Sequence, residues 1–513
     1  MSAAKSTIPL EEHQALLSEK DGLIARQASR IALLEEMVRL HNQKRFASSS
    51  EKSPGQQEMF NEAELTDAAE QWLSESEGLP DTENKTAPAK PKKPGRKPLP
   101  AELPRIRVVH TLPASELTCS CGCRRSVIGE ETSEQLEIIP AKMQVIVNVR
   151  KKYACKQCEN GIKTADLPPQ PIPKSNAGPG LLAHIAINKF QDALPLYRQA
   201  AILQRSGIEL GRNTLAGWMI KSGELIQPLI NLLEDKLLAY PVMHCDETCV
   251  QVLKEPGKEA TSKSYMWVRV GGPPTQPVRL FHYAASRSGG VAGDLTAGYQ
   301  GYLQTDDYAG YNSAAADSGI TQLGCWAHAR RKFIEAQKGA KKHKKAGKAD
   351  MAISFIRKLY ALEKQIAEQS PEEKYQARQQ QAKPILDKIR AWLDKTRHST
   401  LPKGLLGKAL AYLDKNWDKL TVYIEDGRLN IDNNPAENAI RPFVVGRKNW
   451  LFSATVPGAK SSANLYGLIE TAKANNIEPY RYLRHIFKEL PGAKTVEQIE
   501  KLLPWNVELQ GAV

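Results

Sequence analysis

Between Pro241 and Leu253 the side chains alternate so that Val242, His244, Asp246, Thr248, Val250 and Val252 share one face of an extended segment. A period of two over this length is a strand signature, and the carboxylate within it is the first constraint on the fold. A polar turn (254–263) leads to Tyr265-Met-Trp-Val-Arg-Val270, and Gly-Gly-Pro-Pro leads to Val278-Arg-Leu-Phe-His-Tyr283. Three strands joined by short turns predict an antiparallel meander. A short helix over 291–297 then precedes Gly301-Tyr-Leu-Gln-Thr-Asp306, and a strand over 320–325 runs into the helix Trp326-Ala-His-Ala-Arg-Arg-Lys-Phe333.

Three antiparallel strands followed by β-α-β units describe a ribonuclease-H-like sheet, so the fold class expected is multidomain α/β. In such a sheet the first and fourth strands lie side by side, and Asp246 would meet Asp306. Residues 332–426 read as helical and highly charged, interrupted at Pro371 and Gly404. A helical insertion there would separate the second aspartate from Glu437. The lysines 338, 341, 342, 344, 345 and 348 near its start read as a solvated loop. Asn434-Pro435 is an N-cap and first-turn pair, which sets Glu437 in the first turn of a helix. Three carboxylates on separate elements are what two divalent cations need, roughly 3.5–4 Å apart in phosphoryl transfer. Glu247 and Asp307 leave a one-residue ambiguity at each aspartate. Strand alternation favours Asp246, because its neighbour faces the opposite side of the sheet.

The N-terminal part has a different texture. Leu10, Leu17, Ile24, Ile31 and Val38 recur every seven residues, with weaker companions at His13, Lys20 and Gln27. This spacing predicts a helix that either pairs two copies as a short coiled coil or packs on its own protein. Residues 47–107 are polar and Pro- and Lys-rich, a flexible linker whose Lys92, Lys93, Arg96 and Lys97 are candidate contacts to DNA phosphates. Cys119, Cys121 and Cys123 precede Cys155 and Cys158 by about thirty residues, a zinc-ribbon spacing. Four thiolates suffice for Zn²⁺. Cys119, Cys121, Cys155 and Cys158 are favoured, with Cys123 as alternate. Met143-Gln-Val-Ile-Val-Asn-Val-Arg150 alternates as the strand between the two clusters. Bound zinc, roughly 10–16 kcal/mol in such peptides, would fold a module too small for its own core. A redox role for Cys155-Lys-Gln-Cys158 lacks the strand and helix that motif needs. Cys245, Cys249 and Cys325 lie on or beside predicted strands and read as core thiols, their separation arguing against zinc ligation.

Helices over 194–205 and 214–222, joined by Ser206-Gly-Ile-Glu-Leu-Gly211, suggest a helix-turn-helix with Arg205, Arg212 and Lys221 as contacts. His328, Arg330, Arg331, Arg441, Arg447 and Lys448 are further candidates for phosphate contact, although a packed histidine fits position 328 equally well. The 71 Lys plus Arg exceed the 57 Asp plus Glu, a charge of +14 that favours a polyanionic partner, nucleic acid being the commonest, over a merely solvated basic surface. No apolar run reaches the ~18 residues of a membrane span, and no signal-peptide core opens the sequence. A cytoplasmic protein is expected.

His244-Cys-Asp-Glu-Thr248, Leu303-Gln-Thr-Asp-Asp-Tyr-Ala-Gly-Tyr-Asn312, Cys325-Trp-Ala-His-Ala-Arg-Arg-Lys-Phe333, Asp432-Asn-Asn-Pro-Ala-Glu-Asn-Ala-Ile-Arg-Pro442 and Gly446-Arg-Lys-Asn-Trp-Leu-Phe-Ser453 are similar to motifs of the insertion-sequence-66 transposase family. The likeness runs nearly the full length, departing at the extra cysteine and at Asp307, where a small residue is more usual. It implies a DDE-type transposase with the triad Asp246, Asp306 and Glu437 holding Mg²⁺ (or Mn²⁺). It further implies double-stranded DNA as partner, both terminal inverted repeats and target, in a bacterial, nucleoid-associated setting. A homodimer or higher oligomer is expected, with element-encoded accessory proteins as further candidate partners. The domains expected are a coiled-coil helix (1–46), the linker (47–107), a zinc-binding module (108–175) and a helical DNA-binding segment (176–238). Two core parts (239–335 and 427–475) then flank the insertion (336–426), before C-terminal helices (476–513). Competing readings are a non-catalytic zinc-containing regulator, and a nuclease or resolvase on the same sheet that does not join ends.

Overall fold

The computed structural model describes residues 10–46, 143–153, 163–316, 319–340 and 347–509. It separates into two compact units, residues 76–167 and all the rest. The larger unit begins with α1 (Leu10–Phe46), one continuous helix. Its heptad residues Leu17, Ile24, Ile31 and Val38 are about half exposed, so the described residues do not cover the stripe. A different edge of α1 is tied down: Arg39 Nε donates to Gly339 O at 2.9 Å, and Glu36 Oε2 accepts from Leu405 N at 2.9 Å.

In the smaller unit, β1 (Lys152–Tyr153) and β2 (Lys163–Thr164) pair antiparallel. The strand expected over 143–150 is not formed, and the ladder begins two residues later. Alternation there supplies apolar side chains but finds no cover among the described residues: Val145, Ile146, Val147 and Val149 are exposed. The five candidate zinc cysteines and the linker cations Lys92, Lys93, Arg96 and Lys97 lie outside the described residues.

Four helices precede the sheet, α2 (Pro179–Phe190), α3 (Leu196–Arg205), α4 (Arg212–Leu225) and α5 (Gln227–Leu238). The turn between α3 and α4 contains Gly207 at φ +78°, a left-handed position that costs glycine nothing. The α4 helix buries Leu215, Trp218, Met219, Ser222 and Gly223. Arg212 and Lys221 stay outside.

The sheet comprises β3 (Val242–Lys254), β4 (Lys263–Gly271) and β5 (Val278–Ala284), then, after α6 (Gly289–Leu295), β6 (Gly301–Gln304) and, after α7 (Tyr311–Ala316), β7 (Ile320–Leu323). The order is β5-β4-β3-β6-β7. The first three strands pair antiparallel, while β6 runs parallel to β3 and β7 parallel to β6. Gly301, at φ +137°, opens β6 so close to β3 that a Cβ would stand 2.5 Å from Pro241 O. Any side chain there would push the two strands apart.

From β7 the chain enters α8 (Trp326–Gly339) and then a helical insertion of α9 (Lys348–Gln365), α10 (Pro371–Ala377), α11 (Lys383–Arg397), α12 (Leu405–Lys415) and α13 (Trp417–Thr421). The insertion has its own core, in which Trp326 and Phe333 of α8 meet Ile356, Leu359, Leu393 and Leu413. Full burial of each such side chain stabilises by about 1.5–3 kcal/mol. The buried Arg378 closes the far end, donating to the carbonyls of Tyr423, Asp426 and Leu429 and pairing with Glu363 at 2.6 Å. The chain returns through α14 (Asn434–Trp450), β8 (Ser453–Thr455), α15 (Val456–Ala474), α16 (Pro479–Glu489) and α17 (Val496–Glu500). The small residues of α15 let it press on α4, where Asn464 Nδ2 donates to Gly223 O at 2.9 Å. Thr471 Oγ1 fastens α15 to β5 by donating to Arg279 O and accepting from Arg279 N. Among the described residues no helix is long and apolar enough to cross a membrane.

Candidate active site

One edge of β3 is shared by two partners. At its start β6 pairs through Val242↔Tyr302, Met243↔Leu303 and His244↔Gln304; at its end β8 pairs through Val252↔Ser453. Extending the first register by two residues sets Asp246 opposite Asp306, just where β6 has ended. Neighbouring strands lie about 4.8 Å apart, so the two carboxyl groups open into one space. The start of α14 lies in the same region, and Glu437 is in its first turn.

The charges register this convergence. Burial, then the charges of Asp306, Glu247 and Glu437, hold the Asp246 carboxyl well above the usual carboxylate range, against a hydrogen bond accepted from Glu247 N. Burial likewise raises Glu437; His328 and Arg331 oppose that shift, Asp306 adds to it and Arg441 opposes it. Glu437 Oε1 is buried and makes no hydrogen bond among the described residues. The charges of Asp306 and Glu437 thus both reach Asp246, although these three carboxyl groups do not bring their oxygens within 4.8 Å of one another as the Cys325, His328 and Glu437 donors do. An all-oxygen set of this kind suits hard ions such as Mg²⁺ or Mn²⁺.

The neighbouring acids have partners of their own, although Glu247 stays within electrostatic reach of Asp246 and Asp306. Glu247 accepts from Tyr311 Oη and from Arg287 Nε, each at 2.6 Å, and Arg287 stacks on the Tyr308 ring. Arg287 also reaches to 3.9 Å from Asp306 Oδ2. Asp307 takes a left-handed φ of +71° and points to the insertion, accepting from Asn416 Nδ2 at 2.9 Å with Lys415 and Lys419 close by. Its backbone twist separates it from Asp306, whose Oδ1 accepts from Tyr308 N at 3.0 Å.

Buried amides hold these elements in register, and none of them was singled out from the sequence. His244 is enclosed, its pKa pushed down to about 4 by burial, so its ring is neutral. Asn430 Nδ2 donates to Nε2 at 3.1 Å, which leaves Nδ1–H to donate to Asn433 Oδ1 at 3.3 Å. Asn433 Nδ2 donates in turn to Cys245 O at 2.9 Å, and Gln304 Nε2 donates to the carbonyls of Gly324 and Asn430. The loop that delivers Glu437 is thereby bolted to both strands that deliver the aspartates. The sequence signal was present: an alternating strand with an inward histidine, and an Asp-Asn-Asn run ahead of a helix.

The basic candidates divide. His328 Nδ1 lies 3.9 Å from Glu437 Oε1, and the charges of Arg331 and Arg441 reach the same carboxyl. Arg330 is partly buried towards Tyr360 and Arg357. Arg447 donates to Thr248 Oγ1 at 3.0 Å and to Cys249 O, so this guanidinium braces β3, where phosphate contact was expected. Lys448 is exposed, as are Arg205, Arg212 and Lys221 on α3 and α4.

A mixed sheet with an acidic cluster at the ends of two parallel strands, flanked by basic helices, defines an α/β protein built around a polar, charged site. A model described as transposase IS66 family matches residues 174–461, and the IS66 C-terminal element matches 467–505. The zinc-finger binding domain of transposase IS66 matches 116–159, and transposase C of IS166 homeodomain matches 33–108. Relatives include two proteins of Sinorhizobium fredii (strain NBRC 101917 / NGR234), both described as uncharacterized. Protein y4jD is 33% identical over 420 residues, covering 80% of this chain and 81% of the relative. Protein y4hP is 33% identical over 430 residues, covering 81% and 77%. The class is therefore transposase of an insertion sequence, with a zinc-finger module. The chain belongs to the transposase IS66 family.

Proposed function

We propose that this transposase cuts and joins DNA at a ribonuclease-H-like centre in which Asp246, Asp306 and Glu437 hold divalent ions. The observation that carries the reading is the register of β3 and β6, which aligns Asp246 with Asp306 while the Glu437 charge is felt at Asp246. The strand order, three antiparallel strands extended by two parallel ones, supports the fold assignment. Asp246, between the other two, would help hold both ions, and Asp306 and Glu437 one each. Bound Mg²⁺ or Mn²⁺ supplies neutralisation of charge at phosphorus and a more acidic attacking hydroxyl.

The chain's own contribution is position. Amide bolts fix the carboxylates before DNA arrives, so little reorganisation is left for the reaction itself. Arg331 and Arg441 bring positive charge to where a scissile phosphate would lie, with His328 beside them. Water attacks the phosphodiester at the element end, leaving a 3′-OH on the element and a 5′-phosphate on the flanking strand. That hydroxyl then attacks a target phosphodiester, joining to the target 5′-phosphate and displacing the adjoining target 3′-OH. The exposed basic residues of α3 and α4 suit contact with the terminal repeats, and Arg205, Arg212 and Lys221 are the assigned contacts. The half-exposed apolar stripe of α1 supports pairing of two copies, which would hold two DNA ends together. Cys119, Cys121, Cys155 and Cys158, with Cys123 as alternate, are the proposed zinc ligands.

A strand-transfer assay with the element's terminal repeats tests the reading. Wild type should nick and join in Mg²⁺, and Asp246→Ala should bind the repeats without doing either. Cleavage that persists in Asp246→Ala would overturn the site.

A further inference from the structure

Cys325 stands at the N-cap of α8, and His328 lies one turn into the helix. Their Cys-x-x-His spacing sets both side chains towards the first turn of α14, where Glu437 projects. One donor atom from each, the Cys325 sulfur, a His328 ring nitrogen and a Glu437 oxygen, fall within 4.8 Å of one another. We propose that Cys325, His328 and Glu437 form a binding site for a thiophilic divalent ion of the zinc class, distinct in chemistry from the oxygen donors Asp246 and Asp306.

The donor set decides the ion. Sulfur, nitrogen and oxygen together suit zinc, cobalt or nickel, whereas magnesium takes oxygen alone. Zinc bonds of roughly 2.0–2.3 Å put tetrahedral ligand atoms about 3.3–3.7 Å apart, so closing on an ion needs each donor to move by about 1 Å or less. The ligands sit on two helix starts held by other bonds, since Asn433 N donates to Cys325 Sγ at 3.3 Å. The buried Glu437 Oε1 makes no hydrogen bond among the described residues, leaving a carboxylate oxygen available for an ion. Three protein ligands leave a fourth position for water or a phosphate oxygen, the arrangement of an open rather than a structural zinc site.

Glu437 belongs to both donor sets. If the function proposed above holds, zinc at this site withdraws Glu437 from the magnesium-binding carboxylates, and zinc inhibits cleavage. This consequence rests on that reading; the binding site does not.

The test counts zinc by plasma mass spectrometry in the full-length protein after dialysis, comparing wild type with Cys325→Ser, His328→Ala and Asp246→Ala. The module at 116–159 contributes zinc equally to all four. Wild type and Asp246→Ala should each carry one equivalent more than Cys325→Ser and His328→Ala. Serine keeps an acceptor for Asn433 N, and His328→Ala leaves Cys325 untouched, so either variant with a wild-type melting curve suffices. Equal zinc in wild type and a folded Cys325 or His328 variant overturns the proposal. Loss of the extra equivalent in Asp246→Ala also overturns it, by moving the ion to the oxygen donors. Normal cleavage by Asp246→Ala would instead refute the proposed function while leaving the zinc count unchanged.

Discussion

Asn433→Ala is the substitution that most directly tests how the site is held. The Asn433 side chain is fully buried. It carries two bonds: Nδ2 donates to Cys245 O at 2.9 Å, and Oδ1 accepts from His244 Nδ1 at 3.3 Å. It does so one residue beyond the last pair between β3 and β6, where the strand edge would otherwise be open. Alanine leaves one acceptor and one ring N–H without partners in a dry interior, at about 1–3 kcal/mol each. With partial relaxation the cost is roughly 2–4 kcal/mol, and at ~2–4 °C per kcal/mol the melting point falls by on the order of 10 °C. Because Asn433 also fixes the entry to α14, Glu437 should shift, and a 1 Å misplacement can cost about 100-fold in rate. Calorimetry of wild type, Asn433→Ala, His244→Ala and the double variant measures the first effect. The double variant should lose less than the sum of the singles, since the two side chains share a bond. A melting point unchanged from wild type, or strict additivity, would refute the bolt.

Glu247→Gln keeps an acceptor for Tyr311 and should cleave within about tenfold of wild type, a difference of ~1.4 kcal/mol, whereas Asp246→Asn should be inactive in the same gel assay. Reversed outcomes would exchange the roles of the two acids. Lys189 lies against the Phe190 and Trp450 rings, and burial lowers its pKa from 10.5 to about 8. The folded state therefore binds fewer protons than the unfolded one between these values, and stability rises as the pH climbs from about 8 towards 10.5. Lys189→Met should stabilise at pH 7 by ~1 kcal/mol, discounted because the side chain keeps some solvent contact and its ring contacts favour the cation. That advantage should shrink in melts at higher pH. Arg378→Met leaves the partly buried Glu363 without its cation and three carbonyls short of a donor, a loss of about 3 kcal/mol that thermal denaturation would detect.

What was legible in the sequence follows from range. The strand over 242–254 could be read because its period, its flanking turns and its antiparallel partner all lie within thirty residues. The run at 143–150 has the same period but no cover among the described residues, and alternation without a partner surface does not make a ladder. Strand parity favours Asp246 over Glu247 from the sequence, whereas in the fold Glu247 bonds Tyr311 and Arg287 and still feels the charge of Asp306. No such rule acts on Asp306 and Asp307, which lie beyond the end of β6. There the distinction comes from Asn416, 109 residues away, whose amide draws Asp307 towards the insertion. The insertion is therefore part of how the second aspartate is presented, a role that a charged helical stretch does not announce. Charge alone misdirects in the same way: Arg447 follows a basic pattern yet braces Thr248, 199 residues earlier. Cys325 is the buried thiol its sequence setting predicts, and what the sequence does not announce is that folding brings Glu437 and His328 beside it. Local pattern thus specifies each element, while the chemistry sits where elements distant in sequence supply the missing partner.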